Sequence, residues 1–570
     1  MNILLTGTGN LLEGSAVWSP LKPHTLEHTD LNMWTRVFMS PDDLDPKTDM
    51  IVWVVSLEEL IARSASFKCN DAGSGSDSVE SEITLQLNPL RTFLGVSRKT
   101  RVVVAWSWNE AYSSIQYSRS VPFLERADRI WESQLRELQA DHENLFLLPL
   151  RPHFAREGLA KCYDVRNYYV GYCRFSFKGL KMIADVISNL VYRFEQAPKK
   201  VLVLDCDNTL WGGVIGEDGL QGIVLGEDGV GRAYKDFQKG IRELAEQGIL
   251  VALSSKNNED DVWEVFDKHP EMLLKRSDIV AHRINWQEKA NGIQEIAEEL
   301  GLGIDSFVFW DDNHLEREKV RVVLPEVTVP DVSDEVFDWY TTLLGMKEFH
   351  KFVVTEEDRK KVSQYRSRAM FHTEKKTATD LSGFMRSLEL EPSLLPISPP
   401  LLARCEQLCV KTNQFNLSLR RYDAATISKL SADPDCLVYL GHMKDRFGDH
   451  GNVSLVIVRE YAENKLAFID TFLMSCRILG RHFEAWLLEQ LRRMVVTKAI
   501  RYLVAEYIPA ARNQMVLDFF RAYGFSEVNG DAEINGKPLR ELKTTPESRL
   551  YQLDLEIAKI PNLEHFRDED

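Results

Sequence analysis

Residues 201–213 read VLVLDCDNTLWGG, and this stretch decides the fold. Val201–Leu204 is an apolar run that passes directly into Asp205, Cys206, Asp207, Asn208 and Thr209. A short run without polar alternation marks a strand buried on both faces. The pattern recurs downstream. Phe237, Ile241 and Leu244 predict a helix over Ala233–Gln247, stopped by Gly248. Ile249–Leu253 is a second buried run, ending at Ser254, Ser255, Lys256 and Asn257. Gln287–Leu300 reads as a helix that carries Lys289 near its start and stops at Gly301. Ser306–Trp310 is a third run, ending in Asp311, Asp312 and Asn313. Strands alternating with helices through right-handed crossovers give a parallel sheet, and such sheets bind ligands at the carboxyl ends of their strands. The four polar segments are therefore expected at one edge.

That set of residues suits phosphoryl transfer. Carboxylate oxygens are hard ligands for Mg²⁺, which keeps several waters and bridges to phosphate. A carboxylate beside the cation can attack phosphorus to give an aspartyl-phosphate. A second carboxylate two residues on can protonate the leaving oxygen and then deprotonate water. A lysine neutralises the transferring group, and a serine hydroxyl holds its oxygens. Either Ser254 or Ser255 can face the phosphate.

Asp205-Cys-Asp-Asn-Thr-Leu resembles the first motif of the haloacid dehalogenase-like phosphatases, with Ser255, Lys289 and Asp311-Asp312 following in that superfamily's order. Longer stretches narrow the resemblance: LDCDNTLWGGVIGEDG (204–219), VFWDDNHLEREKV (308–320), KTNQFNLSLRRY (411–422) and DTFLMSCRILGRHFE (470–484). Together they resemble the FkbH-like subfamily over nearly the whole chain. Members of that subfamily accompany polyketide pathways. They take 1,3-bisphosphoglycerate, remove its phosphates and load a glyceryl unit onto the phosphopantetheine thiol of an acyl carrier protein. The resemblance implies Mg²⁺ as cofactor and Asp205 as nucleophile and metal ligand. It makes Asp207 the acid/base, with its main-chain carbonyl on the metal, and adds Asp311 and Asp312 to the metal site. Ser255 and Lys289 complete the catalytic set, with Asn208, Thr209, Trp211, Gly212, Gly213, Lys256 and Asn257 around the substrate. The alternatives are a plain Mg²⁺-dependent phosphatase of a small phosphorylated acid and a carrier-protein docking scaffold. The intact Asp205, Asp207, Lys289 and Asp311 set argues against the scaffold.

Cys206 separates transferase from phosphatase. Glyceryl transferases of the subfamily resemble this chain in placing a cysteine there, and plain phosphatases more often have an apolar residue. A thiolate can attack an acyl phosphate and hold the acyl group as a thioester. In an extended stretch, however, Cys206 faces away from Asp205 and Asp207, and a free cysteine packs well in a core. Both readings stay open. Trp211-Gly212-Gly213 reads either as a packed turn or as a flap hinged on its glycines.

Residues 401–570 resemble a GCN5-related acyltransferase. Arg477-Ile-Leu-Gly480-Arg481-His482 stands where that fold turns backbone amides toward a pyrophosphate, although His482 replaces a small residue. Arg512-Asn513 and Tyr523-Gly-Phe match its later helix and turn. The resemblance makes Arg477, Gly480, Arg481 and Asn513 candidates for binding pantetheine or a carrier protein. Cys476 beside Arg477 is either a lowered-pKa thiol or a buried strand end. Lys411-Thr-Asn-Gln-Phe-Asn reads as a capped helix-to-strand turn. Residues 1–195 read as an α/β unit with strands at Ile3–Thr6, Met50–Val55 and Val102–Ala105. They resemble the SGNH-hydrolase-like domain of the same subfamily. Thr6-Gly-Thr-Gly-Asn10 replaces its Gly-Asp-Ser and Arg174-Phe-Ser its Asp-x-x-His, so no esterase is expected, and docking or dimerisation is the better reading.

The 570 residues predict three to five domains at about 100–200 residues each. The divisions read from the sequence are 1–195, a catalytic 196–350, a helical connector and linker over 351–400, and 401–570. Within the connector, Glu356–Arg368 is helical and Pro392–Pro400 a linker; Asn70–Glu82 is a low-complexity loop. The 69 basic and 86 acidic residues give a net charge of −17, and no long basic run exists, so nucleic acid is not an expected partner. Hydrophobic content of 44% and charged content of 27% exclude wholesale disorder. Eight cysteines without a CxxC pair, no basic leader and no apolar run of about 18 residues predict a reduced cytoplasmic protein.

Overall fold

The computed structural model describes residues 1–62, 76–109, 123–510, 513–558 and 563–566. The chain forms two compact units, Met1–Ala197 and Pro198–Asp570. Among the described residues six cysteines are free, and no helix is long and apolar enough to cross a membrane.

The first unit is a parallel sheet of β1 (Asn2–Gly7), β2 (Thr25–His28), β3 (Met50–Ser56), β4 (Arg101–Ser107) and β5 (Leu145–Pro149), in the order β2-β1-β3-β4-β5. All seven residues of β3 are buried, as its unbroken apolar run requires. Helices α1 (Ser76–Val96) and α2 (Phe123–Asp141) pack on one face and α3 (Phe177–Glu195) on the other. Part of the stretch read as a low-complexity loop, 70–75, lies outside the described residues. From Ser76 onward it is the start of α1, because Val79, Ile83, Leu87 and Leu90 recur at helical spacing and are buried.

The second unit opens with β6 (Val201–Leu204), α4 (Gly229–Glu246), β7 (Leu250–Ser255), α5 (Glu259–Lys268), β8 (Ile279–Ile284), α6 (Lys289–Leu300), β9 (Phe307–Trp310) and α7 (His314–Val323). The strands are parallel in the order β8-β7-β6-β9. Leu204 is in register with both Leu253 and Trp310, so the residues after β6, β7 and β9 emerge level at one edge. The sequence reading lacked β8. It is an edge strand whose His282 and Arg283 are half-exposed, which breaks the apolar run that marked the other three.

Helix α8 (Glu356–Thr377) is longer than the charge-rich stretch suggested. It starts at a Thr355–Asp358 capping box and continues because Tyr365, Ala369 and Phe371 give it a buried stripe. The proline-rich stretch read as a linker is largely strand β10 (Glu391–Pro396). It lies at the sheet edge, where a proline costs no ladder hydrogen bond. After α9 (Leu402–Lys411) come β11 (Phe415–Asn416), β12 (Cys436–Asp445), β13 (Gly448–Tyr461), β14 (Leu466–Met474), α10 (Phe483–Val496) and β15 (Tyr502–Tyr507). The chain ends through β16 (Ser526–Val528), the short pair β17 (Glu533–Ile534) and β18 (Lys537–Pro538), and β19 (Arg549–Asp554). The main sheet runs β10-β12-β13-β14-β15-β19-β16, with β11 on β14. It is antiparallel except for the β14–β15 pair.

Candidate active site

The level strand ends bring the motif residues together. Lys289, at the first turn of α6, reaches 3.0 Å to Asp205 Oδ1 and 2.6 Å to Asp311 Oδ2. All three are buried. Asp205, Asp311 and Asp312 each offer a carboxylate oxygen, and these atoms lie within 4.8 Å of one another. A group of hard oxygens this close fits a divalent cation. Burial and the Asp205 charge push the Asp311 carboxyl up to about 7 and that of Asp312 up to about 6. Lys289 is raised despite burial, because Asp205 and Asp311 flank it. One lysine against three carboxylates leaves negative charge that a cation would neutralise. Thr209 fixes Asp312: its hydroxyl lies 3.3 Å from Asp312 Oδ1 and accepts the Asp312 N–H at 3.3 Å.

The Asp207 carboxylate stands apart from this group. Its Oδ1 accepts from Trp211 Nε1 at 2.9 Å and from the Ile215 N–H at 3.1 Å, and its Oδ2 from Asn257 Nδ2 at 2.7 Å. Burial raises its pKa. Three donors fix its direction, and none of them is a cation. Only its main-chain carbonyl is left for the metal role the resemblance gave it.

Several residues expected around the substrate hold the loop instead. Trp211 is fully buried, with its ring edge against Phe266 and its N–H on Asp207, so the flap reading is corrected to a packed turn. Gly212 is bridged to Val224 through both backbone groups, and a Cβ on it would stand 2.9 Å from the Tyr234 ring. Asn208 sits in the left-handed region at φ 53° and accepts the Gly213 N–H at 2.8 Å, closing the turn. Asn257 is occupied by Asp207, and Lys256 pairs with Glu288 at 3.1 Å and Glu316 at 3.3 Å. Ser254 and Ser255 point to opposite sides of β7. The Ser254 hydroxyl donates to the Lys289 carbonyl at 3.4 Å, and that of Ser255 lies beside the Cys206 thiol.

Cys206 is fully buried in the core formed with Leu204, Leu210 and Trp310. Burial first, and then the Asp205 charge, push its thiol well above the ordinary range. Sequence reasoning missed Arg317 of α7. Its Nη1 donates to the carbonyls of Asp311 and Asp312, each at 2.7 Å, and so holds the motif-four loop. Its position in LEREKV, one turn into the helix after the aspartates, was the available signal.

The outer candidates are not gathered at a site. Arg477, Arg481 and Asn513 are buried; Arg477 is hydrogen-bonded to Gln364 of α8, and Arg481 and Asn513 to Asp445 and Asn416. Arg512 and the Cys476 side chain lie outside the described residues. In the first unit, Thr8 accepts the Ser56 N–H at 2.9 Å, and Ser107 pairs with the Tyr163 phenol. Arg174 is paired with Glu59.

No protein-family model matches the chain, and no curated protein does. Among solved structures, the chain is similar to the N-terminal part of protein BF1531 from Bacteroides fragilis, which contains a phosphatase domain complexed with Mg. The two share 27% identity over 60% of this chain and 93% of that one, with a TM-score of 0.52. The ribosomal-protein-S18-alanine N-acetyltransferase of Escherichia coli aligns over 29% of this chain and 94% of its own, at 11% identity and a TM-score of 0.21. Tetrahymena GCN5 aligns over 30% of this chain and 96% of its own, at 14% identity and a TM-score of 0.22. The likeness to BF1531 supports a haloacid dehalogenase-like phosphatase fold.

Proposed function

We propose that this chain is a Mg²⁺-dependent phosphatase of a small phosphorylated acid, working through an aspartyl-phosphate on Asp205. The observation that carries the reading is the division of labour at the sheet edge. Asp205, Asp311, Asp312 and Lys289 converge, while Asp207 is turned aside and held by three donors. The Mg in the BF1531 phosphatase domain supports the choice of cation. Asp205, Asp311 and Asp312 would hold Mg²⁺, which when bound offsets charge on the phosphoryl oxygens.

An Asp205 oxygen attacks phosphorus as the bond from phosphorus to the leaving oxygen breaks, and Asp207 gives that oxygen its proton. The raised pKa of Asp207 suits it to carry that proton. Asp207 then takes a proton from water, the water oxygen attacks the phosphoryl group, and Asp205 leaves as a free carboxylate with inorganic phosphate. Lys289, 3.0 Å from Asp205 Oδ1, holds that carboxylate in place throughout.

The finer reading is glyceryl transfer, in which 1,3-bisphosphoglycerate yields a glyceryl thioester on an acyl carrier protein. One observation favours it: the Cys206 thiol lies beside Ser255, and that hydrogen bond and the Lys289 charge favour its thiolate, against the opposing charges of Asp205 and Asp207. Its full burial and raised pKa favour the phosphatase. Cys206→Ala is expected to keep phosphate release from acetyl phosphate within a few-fold of the parent. In a mixture with Mg²⁺, 1,3-bisphosphoglycerate and pantetheinylated carrier, phosphate release without a glyceryl adduct on either protein confirms the plain phosphatase. A glyceryl adduct on the carrier establishes the transferase, and one on this chain that disappears in Cys206→Ala places the intermediate on the thiol.

Two further outcomes follow. Asn257→Ala removes one hydrogen bond to the Asp207 carboxylate, a loss of about 1.5–3 kcal/mol. It should lower kcat by roughly 10- to 100-fold and the melting temperature by a few degrees, as steady-state kinetics and thermal unfolding would read. Mg²⁺ affinity should rise with pH across about 6 to 7, since the ligands Asp311 and Asp312 must lose their protons to bind. The sign for stability is opposite in the metal-free chain. A carboxyl raised above its unfolded value of 3.8 binds more protons in the folded state, so stability from these groups falls between about pH 4 and 7. Calorimetric titration in buffers of different ionisation enthalpy should show proton release on Mg²⁺ binding that vanishes well above pH 7.

A further inference from the structure

The acyltransferase-like fold of the C-terminal domain implies an acyl-CoA or pantetheine ligand. We infer that this groove is filled by the chain itself, with Phe415–Leu417 lying where an amide-bearing arm would lie, and that the domain takes neither CoA nor a carrier's pantetheine.

The argument starts from the one parallel pair in the sheet. β14 and β15 are paired only over Leu466–Ile469 and Tyr502–Ala505. β14 continues to Met474 and β15 to Tyr507 without further pairing to each other. Two strands that part company leave inward-facing N–H and C=O groups, and an extended chain bearing amides is the natural occupant of such a gap. Here the occupant is already present. Phe415 and Asn416 pair antiparallel with Met474 and Leu473. The Leu417 N–H donates to the Phe472 carbonyl at 3.2 Å, and the Leu417 carbonyl accepts from the Ile508 N–H at 3.0 Å. The segment is thus bonded to β14 on one side and to the chain just past β15 on the other.

Side chains lock it in place. Asn513 Nδ2 donates to the carbonyls of Asn416 at 3.1 Å and Ile508 at 2.9 Å, spanning the gap. The Ser418 hydroxyl donates to the Asp470 carbonyl at 2.7 Å. Phe415 packs on Phe472 and Phe519, and all four residues from Phe415 to Ser418 are buried. This gives Lys411-Thr-Asn-Gln-Phe-Asn the role its sequence alone did not disclose.

The turn that would meet a pyrophosphate is covered too. Gly480 carries Lys375 of α8 against it, so that even a Cβ there would stand 3.1 Å from Lys375 Nζ. Arg481 is fully buried. It donates to Asp445 Oδ2 at 2.6 Å and to the Arg477 carbonyl at 3.1 Å, with its guanidinium 4.0 Å from the centre of the Phe371 ring. Arg477 is hydrogen-bonded to Gln364. Gln364, Phe371 and Lys375 all belong to α8, so one helix closes this end as β11 closes the other.

The test uses the full chain with CoA, acetyl-CoA and pantetheine as probes. Calorimetry should show no saturable heat, thermal unfolding no shift, and hydrogen exchange no change at the amides of Leu417 and Ile508. Saturable binding of any probe overturns the inference. So does faster exchange over 412–418 when a probe is added, because that would mean the segment is displaced. The phosphatase reading is untouched by either result, since phosphate release is measured separately.

Discussion

Asp205→Asn should abolish phosphate release, with a loss on the order of 10⁴-fold or more, as removal of a covalent nucleophile does in other enzymes. The substitution is nearly isosteric, so folding should survive. The amide still reaches Lys289 and still occupies the buried position. What is lost is the anionic oxygen that attacks phosphorus and one donor of the cation group. The companion Asp207→Asn should cost about 10²- to 10⁴-fold, the range of a general acid/base. Its amide oxygen can still accept from Trp211 and Ile215, but the NH₂ that replaces Oδ2 cannot accept from Asn257 and carries no proton for the leaving oxygen. Release of inorganic phosphate from acetyl phosphate, with melting temperature as the folding control, reads both. Parent-like release by Asp205→Asn would remove the covalent pathway.

Lys289→Met should destabilise the protein and silence it together. Lys289 is 5% exposed and is the cation shared by the carboxylates of Asp205 and Asp311. Removing one partner of a buried ionic group costs about 3–5 kcal/mol, because the charges left behind have no compensation. Here two carboxylates are left, beside a third on Asp312. Saturating Mg²⁺ should recover much of the lost melting temperature, because the cation supplies the missing positive charge to the same oxygens. Activity should stay low even when Mg²⁺ restores the fold, since no ammonium remains to orient Asp205. A variant as stable as the parent without Mg²⁺ would show that the lysine does not hold the carboxylates together.

The catalytic sheet was legible because β6, β7 and β9 are unbroken apolar runs, each followed by polar residues. Register then carried the argument: Leu204, Leu253 and Trp310 are level, so the motif residues had to meet. β8 was not legible, since an edge strand with His282 and Arg283 half in water has no such run. Around the site, residue type indicated proximity but not the direction of a side chain. Trp211 and Asn257 lie beside Asp207, and both spend their donors on its carboxylate. Cys206 followed strand alternation into the core, one of the two readings its position allowed. Arg317 was hidden because a helix in a charge-rich stretch looks like a solvated face, although its guanidinium is spent on the carbonyls of the motif-four loop. The Asn416–Asn513 link joins residues 97 apart in sequence, a distance across which local pattern carries no information.

The central claim is an aspartyl-phosphate on Asp205, and intact-protein mass spectrometry after acid quench tests it most directly. The chain is mixed with Mg²⁺ and acetyl phosphate, quenched within the first turnovers and mapped by proteolysis. The account predicts a phosphoryl adduct on the peptide holding Asp205 that is absent without Mg²⁺ and absent in Asp205→Asn. Phosphate release with no such adduct, or an adduct that persists in Asp205→Asn, would contradict it.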